Sequence, residues 1–351
     1  MKIKSGTKLQ NIISYTVFHL SGFLILSPIH QSENIVVSLI SAFFISGILL
    51  KLILKFYKRG SFYENKRRFS CKIISVIAVI SSLFCCLMLI TEIIKDVSYI
   101  ADRGVSITYY IFTAIAILFV SYYLCISAPK GIFRFLILSP YVFLILFIIM
   151  FFSLFSVKSI TANALISQSD SVSSIMTGIK SGIFFTLDTS VYLFCFDDIQ
   201  VDQNNKDLSS QITAGFLISF FFISVYSIFT CLIFGKLTPE ISDPDYALIK
   251  LIPGADFTEI ISAVRIISFM IKSSCYVYLS TKILKDFIPK IKISKIRLIF
   301  ILYISIPVSI IFLSFFDKTL GYGAFQHLIY PTNTIMSIAF MILFSKLQKN
   351  K

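Results

Sequence analysis

Long polar stretches are missing from this sequence: none exceeds about twenty residues, so no part of the chain is left over for a separate soluble domain. Charge is scarce as well. Only 14% of the 351 residues are Asp, Glu, Lys or Arg, against 56% hydrophobic, and the mean hydropathy is +0.86. A soluble domain of this size carries more charge and fewer apolar residues. Metal-ligand spacing is absent. The three histidines, His19, His30 and His327, are scattered, and the seven cysteines, at 71, 85, 86, 125, 195, 231 and 275, form no C-x-x-C pair. Neither a zinc site nor a disulfide framework is indicated, and the cysteines read as small apolar packing residues. No Gly-rich phosphate loop occurs and no serine stands in a nucleophile elbow. An enzyme is therefore not expected, and no catalytic residue, metal or cofactor is assigned. Period-two polarity, the mark of a membrane barrel, is missing too.

What the chain has instead is apolar runs of membrane-spanning length from end to end. In lipid such runs satisfy their backbone as helices. The sequence thus predicts an all-α polytopic membrane protein, a single transmembrane domain over residues 1–351. Ten spans are expected, at about 10–29, 34–55, 72–93, 106–128, 133–156, 178–198, 211–235, 258–281, 297–316 and 327–345. The first run is basic and then apolar, but it ends in "LILSPIHQSEN" without a small-residue cleavage site. It reads as a retained helix.

The net charge of +14 does not point to nucleic acid, because the bases cluster in alternate loops. With the N-terminus inside, the inside segments hold 23 of the 32 Lys and Arg residues and the outside loops hold 7. This asymmetry places both termini in the cytoplasm. The largest inside loop, "KFYKRGSFYENKRRFSCK", is either a topology determinant or a surface for anionic lipid. Ten spans split into two sets of five, 9–156 and 178–345, and the odd number makes the second set run opposite to the first. That is the parity of an inverted repeat.

Polar interruptions fall in corresponding places of the two sets. Span six contains "TLDTS", Thr186 to Ser190, with Asp188 near its middle. A carboxylate there must face the protein interior, and the hydroxyls compete for backbone hydrogen bonds. An unwound hinge is expected, the competing arrangement being a continuous helix with Asp188 paired to a neighbour. Span one carries His19, Ser21 and Gly22 about halfway along. A break there is expected by symmetry with span six, since paired broken helices mark transporter sites. Ser21, Gly22, Thr186, Asp188, Thr189 and Ser190 are accordingly the candidate ligand-binding residues. Freed N–H groups near Ser21 and Gly22 would hold a carboxylate, and Asp188 would meet an ammonium group. Span eight carries Arg265 and Lys272, seven residues apart on one face with Ser268 and Cys275. The two bases are a built-in cation or one half of a charge pair with Asp188 or Glu259.

Four segments resemble one family. They are "LQNIISYTVFHLSGFLILSP", "GIFFTLDTSVYLFCFDDI", "LISFFFISVYSIFTCLIFG" and "DPDYALIKLIPGADFTEIISAVRIISFMIKSSCYVYLSTKIL". In order and content they resemble the first, sixth, seventh and eighth spans of the B subunit of spore germinant receptors. These are spore permeases within the amino acid–polyamine–organocation superfamily. That family's sixth span breaks around Gly, an aromatic and an acid, whereas this chain has Leu187, Asp188 and Thr189. The resemblance implies a LeuT-type five-plus-five inverted repeat in the spore inner membrane. It implies a small amino-acid-like ligand at the midplane between helices one and six. It also implies A and C subunits as partners, and an eighth helix that faces the first. A working amino acid permease of the same fold is the alternative. A further one is a structural or assembly protein whose polar residues only hold helices together.

Overall fold

The computed structural model describes residues 7–26, 32, 34–57, 129–156, 171–196, 205–241 and 258–287, with isolated positions at 77, 116, 119–120, 123–124, 247–248, 251–252 and 335. Among the described residues the regular structure is helical, with no strand. Seven α-helices follow in order: α1 Lys8–Leu26, α2 Ile35–Phe56, α3 Lys130–Leu138, α4 Pro140–Ser156, α5 Ser171–Phe196, α6 Asn205–Phe234 and α7 Thr258–Phe287. The expected spans at 72–93, 106–128, 297–316 and 327–345 lie outside the described residues, isolated positions aside.

Among the described residues four stretches are long and apolar enough to cross a membrane: 35–55, 130–153, 172–196 and 207–234. The chain is a membrane protein. One of the four differs from the rest. The stretch over 172–196 is 82% buried within the protein, against 29–44% for the others. It is thus the most buried of the four, and its polar residues Thr186, Asp188, Thr189 and Ser190 are buried in the protein.

Local sequence sets the helix ends. Asn34 caps α2, its side chain accepting from the Val37 N–H at 3.2 Å. Between α3 and α4, Pro140 has no N–H to give, and the helix is interrupted for one residue at Ser139. α6 ends at Gly235, whose φ of 60° suits glycine, and a short 3-10 helix follows over Gly235–Glu240.

Two helix pairs are packed backbone to backbone. In the first, α5 lies on α2. A Cβ added to Gly182 would stand 2.7 Å from the Ala42 carbonyl oxygen, and one added to Gly178 would stand 2.7 Å from the Ser41 Cβ. Ser38 donates to the Ser174 carbonyl at 2.6 Å. The matches advance together, so α2 and α5 are parallel. In the second pair, α6 lies on α1. A Cβ on Gly215 would stand 2.8 Å from the Tyr15 ring and 3.0 Å from the Ile12 carbonyl oxygen. Asn11 meets Gln211 at 2.8 Å and His19 meets Ser219 at 2.8 Å, so this pair is parallel too. Small residues let backbones approach closely where the hydrophobic effect cannot drive association.

The two pairs join along an antiparallel seam between α1 and α5. Ser14 meets Tyr192 and Tyr15 meets Thr189, each at 2.6 Å, while His19 meets the Phe185 carbonyl at 2.9 Å. α7 covers this seam, parallel to α5, with Lys272 beside Asp188 and the Cys195 sulfur against the Cys275 carbonyl at 3.7 Å.

Candidate functional site

The site lies where α1, α5 and α7 meet. Lys272 of α7 donates from Nζ to the Asp188 carboxylate of α5 at 2.5 Å, and both side chains are buried, at 1% and 3% exposure. The same ammonium lies 3.5 Å from the centroid of the Phe18 ring, itself fully buried on α1. It is thus held between a carboxylate and the electron-rich face of an aromatic ring.

Gly22 makes room for this arrangement. A Cβ there would collide with a carboxylate oxygen of Asp188 and lie 2.9 Å from the Lys272 nitrogen. The glycine is required by its neighbours rather than by its backbone angles, because α1 is helical through Leu26.

The expected breaks do not occur. α1 runs unbroken through Ser21 and Gly22, and α5 runs unbroken through Thr186–Ser190. The hydroxyls find partners without unwinding either helix. Ser21 donates to the Phe18 carbonyl at 2.7 Å and Thr186 to the Gly182 carbonyl at 2.6 Å, each within its own helix. Thr189 is engaged across the seam by the Tyr15 hydroxyl. With no break, the N–H groups near Ser21 and Gly22 stay inside a helix, and the expected carboxylate-binding terminus is not formed.

Of the candidate residues, Gly22, Asp188 and Lys272 come together. Thr186 faces α2, its hydroxyl 3.5 Å from the Ser46 carbonyl oxygen. Ser21 and Ser190 are buried beside the pair in sequence. Arg265 is also buried, two turns before Lys272 on α7. Lys272, not Arg265, takes the carboxylate.

The structure adds residues that were not among the candidate ligand-binding residues. Phe18 supplies the aromatic face. His19 bridges three helices: its Nε2–H donates to the Phe185 carbonyl of α5, and Nδ1 accepts from the Ser219 hydroxyl of α6. The carbonyl can only accept, which fixes that tautomer. Asn11, Tyr15, Phe18 and Gly22 fall at steps of three or four along α1, so they share one face. That periodicity was the signal available in the sequence. An apolar groove of about 300 Å³ between α1, α4 and α6, lined by Val17, Leu20, Phe147 and Phe222 among others, does not include the charge pair.

Comparison with protein-family models and with curated proteins finds no match to this chain in either set.

Proposed function

We propose that this chain is a ligand-responsive, multi-pass membrane protein of the secondary-transporter type. On the resemblance of its segments, it acts as the nutrient-sensing B subunit of a spore germinant receptor. One observation carries the reading: a buried Asp188–Lys272 pair sits at the junction of three helices in the apolar interior. Ionisable residues inside a membrane are costly and mark functional sites by default. The ligand class is a small amino-acid-like zwitterion, bound where α1, α5 and α7 meet. A and C subunits are the partners that the resemblance implies.

The packing supports the five-plus-five division. In that scheme α1 and α5 are the first helices of the two halves, and α2 and α6 are the second. Exchanging the halves converts the α2–α5 pair into the α6–α1 pair. Both pairs are parallel and glycine-tight, and their leading helices are antiparallel. Inverted repeats require that correspondence. Lys and Arg placement orients the assembly with both termini in the cytoplasm.

Spores that lack this chain but keep the other two subunits test the reading. They should lose the response to one small nutrient and keep the response to others. The purified chain in proteoliposomes should not accumulate labelled amino acid. Accumulation would identify a permease instead, and an unchanged nutrient response would exclude the sensing role.

A further inference from the structure

The surroundings of the Lys272 ammonium are those of a receptor for a primary ammonium group. A carboxylate oxygen lies 2.5 Å away on one side and the Phe18 ring centroid 3.5 Å away on another, and the missing side chain of Gly22 gives the pair its room. An ammonium has three donors. Among the described residues the Asp188 carboxylate is its hydrogen-bond acceptor and the second partner is a ring. The group is held by charge and shape, not by a full set of hydrogen bonds. His19 differs: both of its ring nitrogens are engaged. The ammonium also arrives on a flexible four-carbon stem from a third helix. It is the part of the site best able to leave.

We propose that Asp188, Phe18 and Gly22 form an ammonium receptor whose resident occupant is Lys272, and that a zwitterionic ligand binds there by exchange. The ligand's ammonium takes the position between Asp188 and Phe18. The displaced Lys272 takes the ligand's carboxylate. This rests on the ligand-binding reading above and adds how the ligand is selected.

Charge balance explains the selection. A bare amine entering the receptor leaves the displaced Lys272 buried without a partner, and a bare carboxylate taking Lys272 leaves Asp188 so. Either outcome is costly in an apolar interior. A molecule carrying both charges pairs each of them and leaves the net charge of the site unchanged. Phe18 favours a cationic head over a neutral one of the same size.

The test is thermal unfolding of the purified full chain in detergent. The probes are glycine, alanine and valine, each compared with the amine and the carboxylic acid that lack one of its charges. In the wild type, one or more of the amino acids should raise the unfolding temperature by about 3 °C near saturation, with no shift from its single-charge counterparts. Lys272→Ala removes three methylenes and the ammonium. It should be stabilised by propylamine and lose its response to the zwitterion, with propanol inert. Asp188→Ala should show the mirror preference, formate over methylamine. If Lys272→Ala does not fold alone, its recovery as a monodisperse species with propylamine present throughout purification serves as the readout.

The outcomes separate the two claims. Amine rescue of Lys272→Ala with no zwitterion response in the wild type would uphold the ammonium receptor and overturn both the exchange and the amino-acid reading. Equal zwitterion stabilisation of wild type and Lys272→Ala would keep the reading and overturn the exchange. Failure of propylamine to stabilise or recover Lys272→Ala would overturn the receptor itself.

Discussion

Gly22 has no side chain at the place where the Asp188 carboxylate lies, and the Lys272 ammonium closes the same gap from the other side. Three helices are therefore locked together through an absence on one of them. Gly22→Ala should force the pair apart although Ala is the better helix former. The coupling energy between Asp188 and Lys272, from a double-mutant cycle, should fall to near zero in the Gly22→Ala background. Unchanged coupling would show that α1 can yield without disturbing the pair.

The pair itself should follow the rule for buried ions. Asp188→Asn or Lys272→Met alone leaves an uncompensated partner, at a cost of about 3–5 kcal/mol. Asp188→Asn with Lys272→Met removes both charges and should recover most of that loss. Unfolding temperatures of the three variants in detergent check this. A double variant as unstable as the worse single one would show that the side chains act through packing.

His19 offers a separate test. Its ring satisfies Phe185 and Ser219 on two different helices. His19→Leu removes two cross-helix hydrogen bonds, each worth about 0.5–1.5 kcal/mol, while Ser219→Ala removes only one of them; the Ser219 hydroxyl also bonds the Phe216 carbonyl of its own helix. The histidine change should be the more destabilising, and Ser219→Ala should add little to it. Additive losses would mean that the bridge is not a unit.

The contact of α2 with α5 is open to the same kind of test. A Cβ at Gly182 would lie 2.7 Å from the Ala42 carbonyl oxygen, whereas one at Gly47 of α2 would meet nothing within 4 Å. Gly182→Ala should therefore lower the unfolding temperature, and Gly47→Ala should not. Equal effects would show that Gly182 does not sit against α2.

The described helices were legible because apolar runs of spanning length leave few alternatives. The run expected at 211–235 is a helix over Asn205–Phe234, and the one at 258–281 extends to Phe287. The extra turns carry charges, at Lys206 and Asp207 in one helix and Lys282, Lys285 and Asp286 in the other, so hydropathy did not reveal them. Asp188 and Lys272 were legible as a possible pair because a buried charge needs a partner. The breaks were misread because a hydroxyl that weakens a helix in isolation can bond its own preceding turn, as Thr186 does with Gly182. Ser-Gly at 21–22 carried two meanings, a hinge or a close approach. Only the positions of Asp188 and Lys272 decide between them. Phe18 was hidden among 37 phenylalanines, and nothing local distinguishes a ring that faces an ammonium from one that faces lipid.

The glycine-tight contacts have a mechanical meaning. Where Gly178 and Gly182 meet α2, and where Gly215 meets the Ile12 carbonyl and the Tyr15 ring of α1, the glycine leaves no room for a side chain of its own. Each couple is in effect one stiff beam. Softer material lies between the beams: the Tyr15, Tyr192, His19 and Phe185 rings, with a single ionic clasp from α7. That clasp ties α7 to α5, so opening it would unlatch the cover over the seam while the seam's own hydrogen bonds still hold the two beams together.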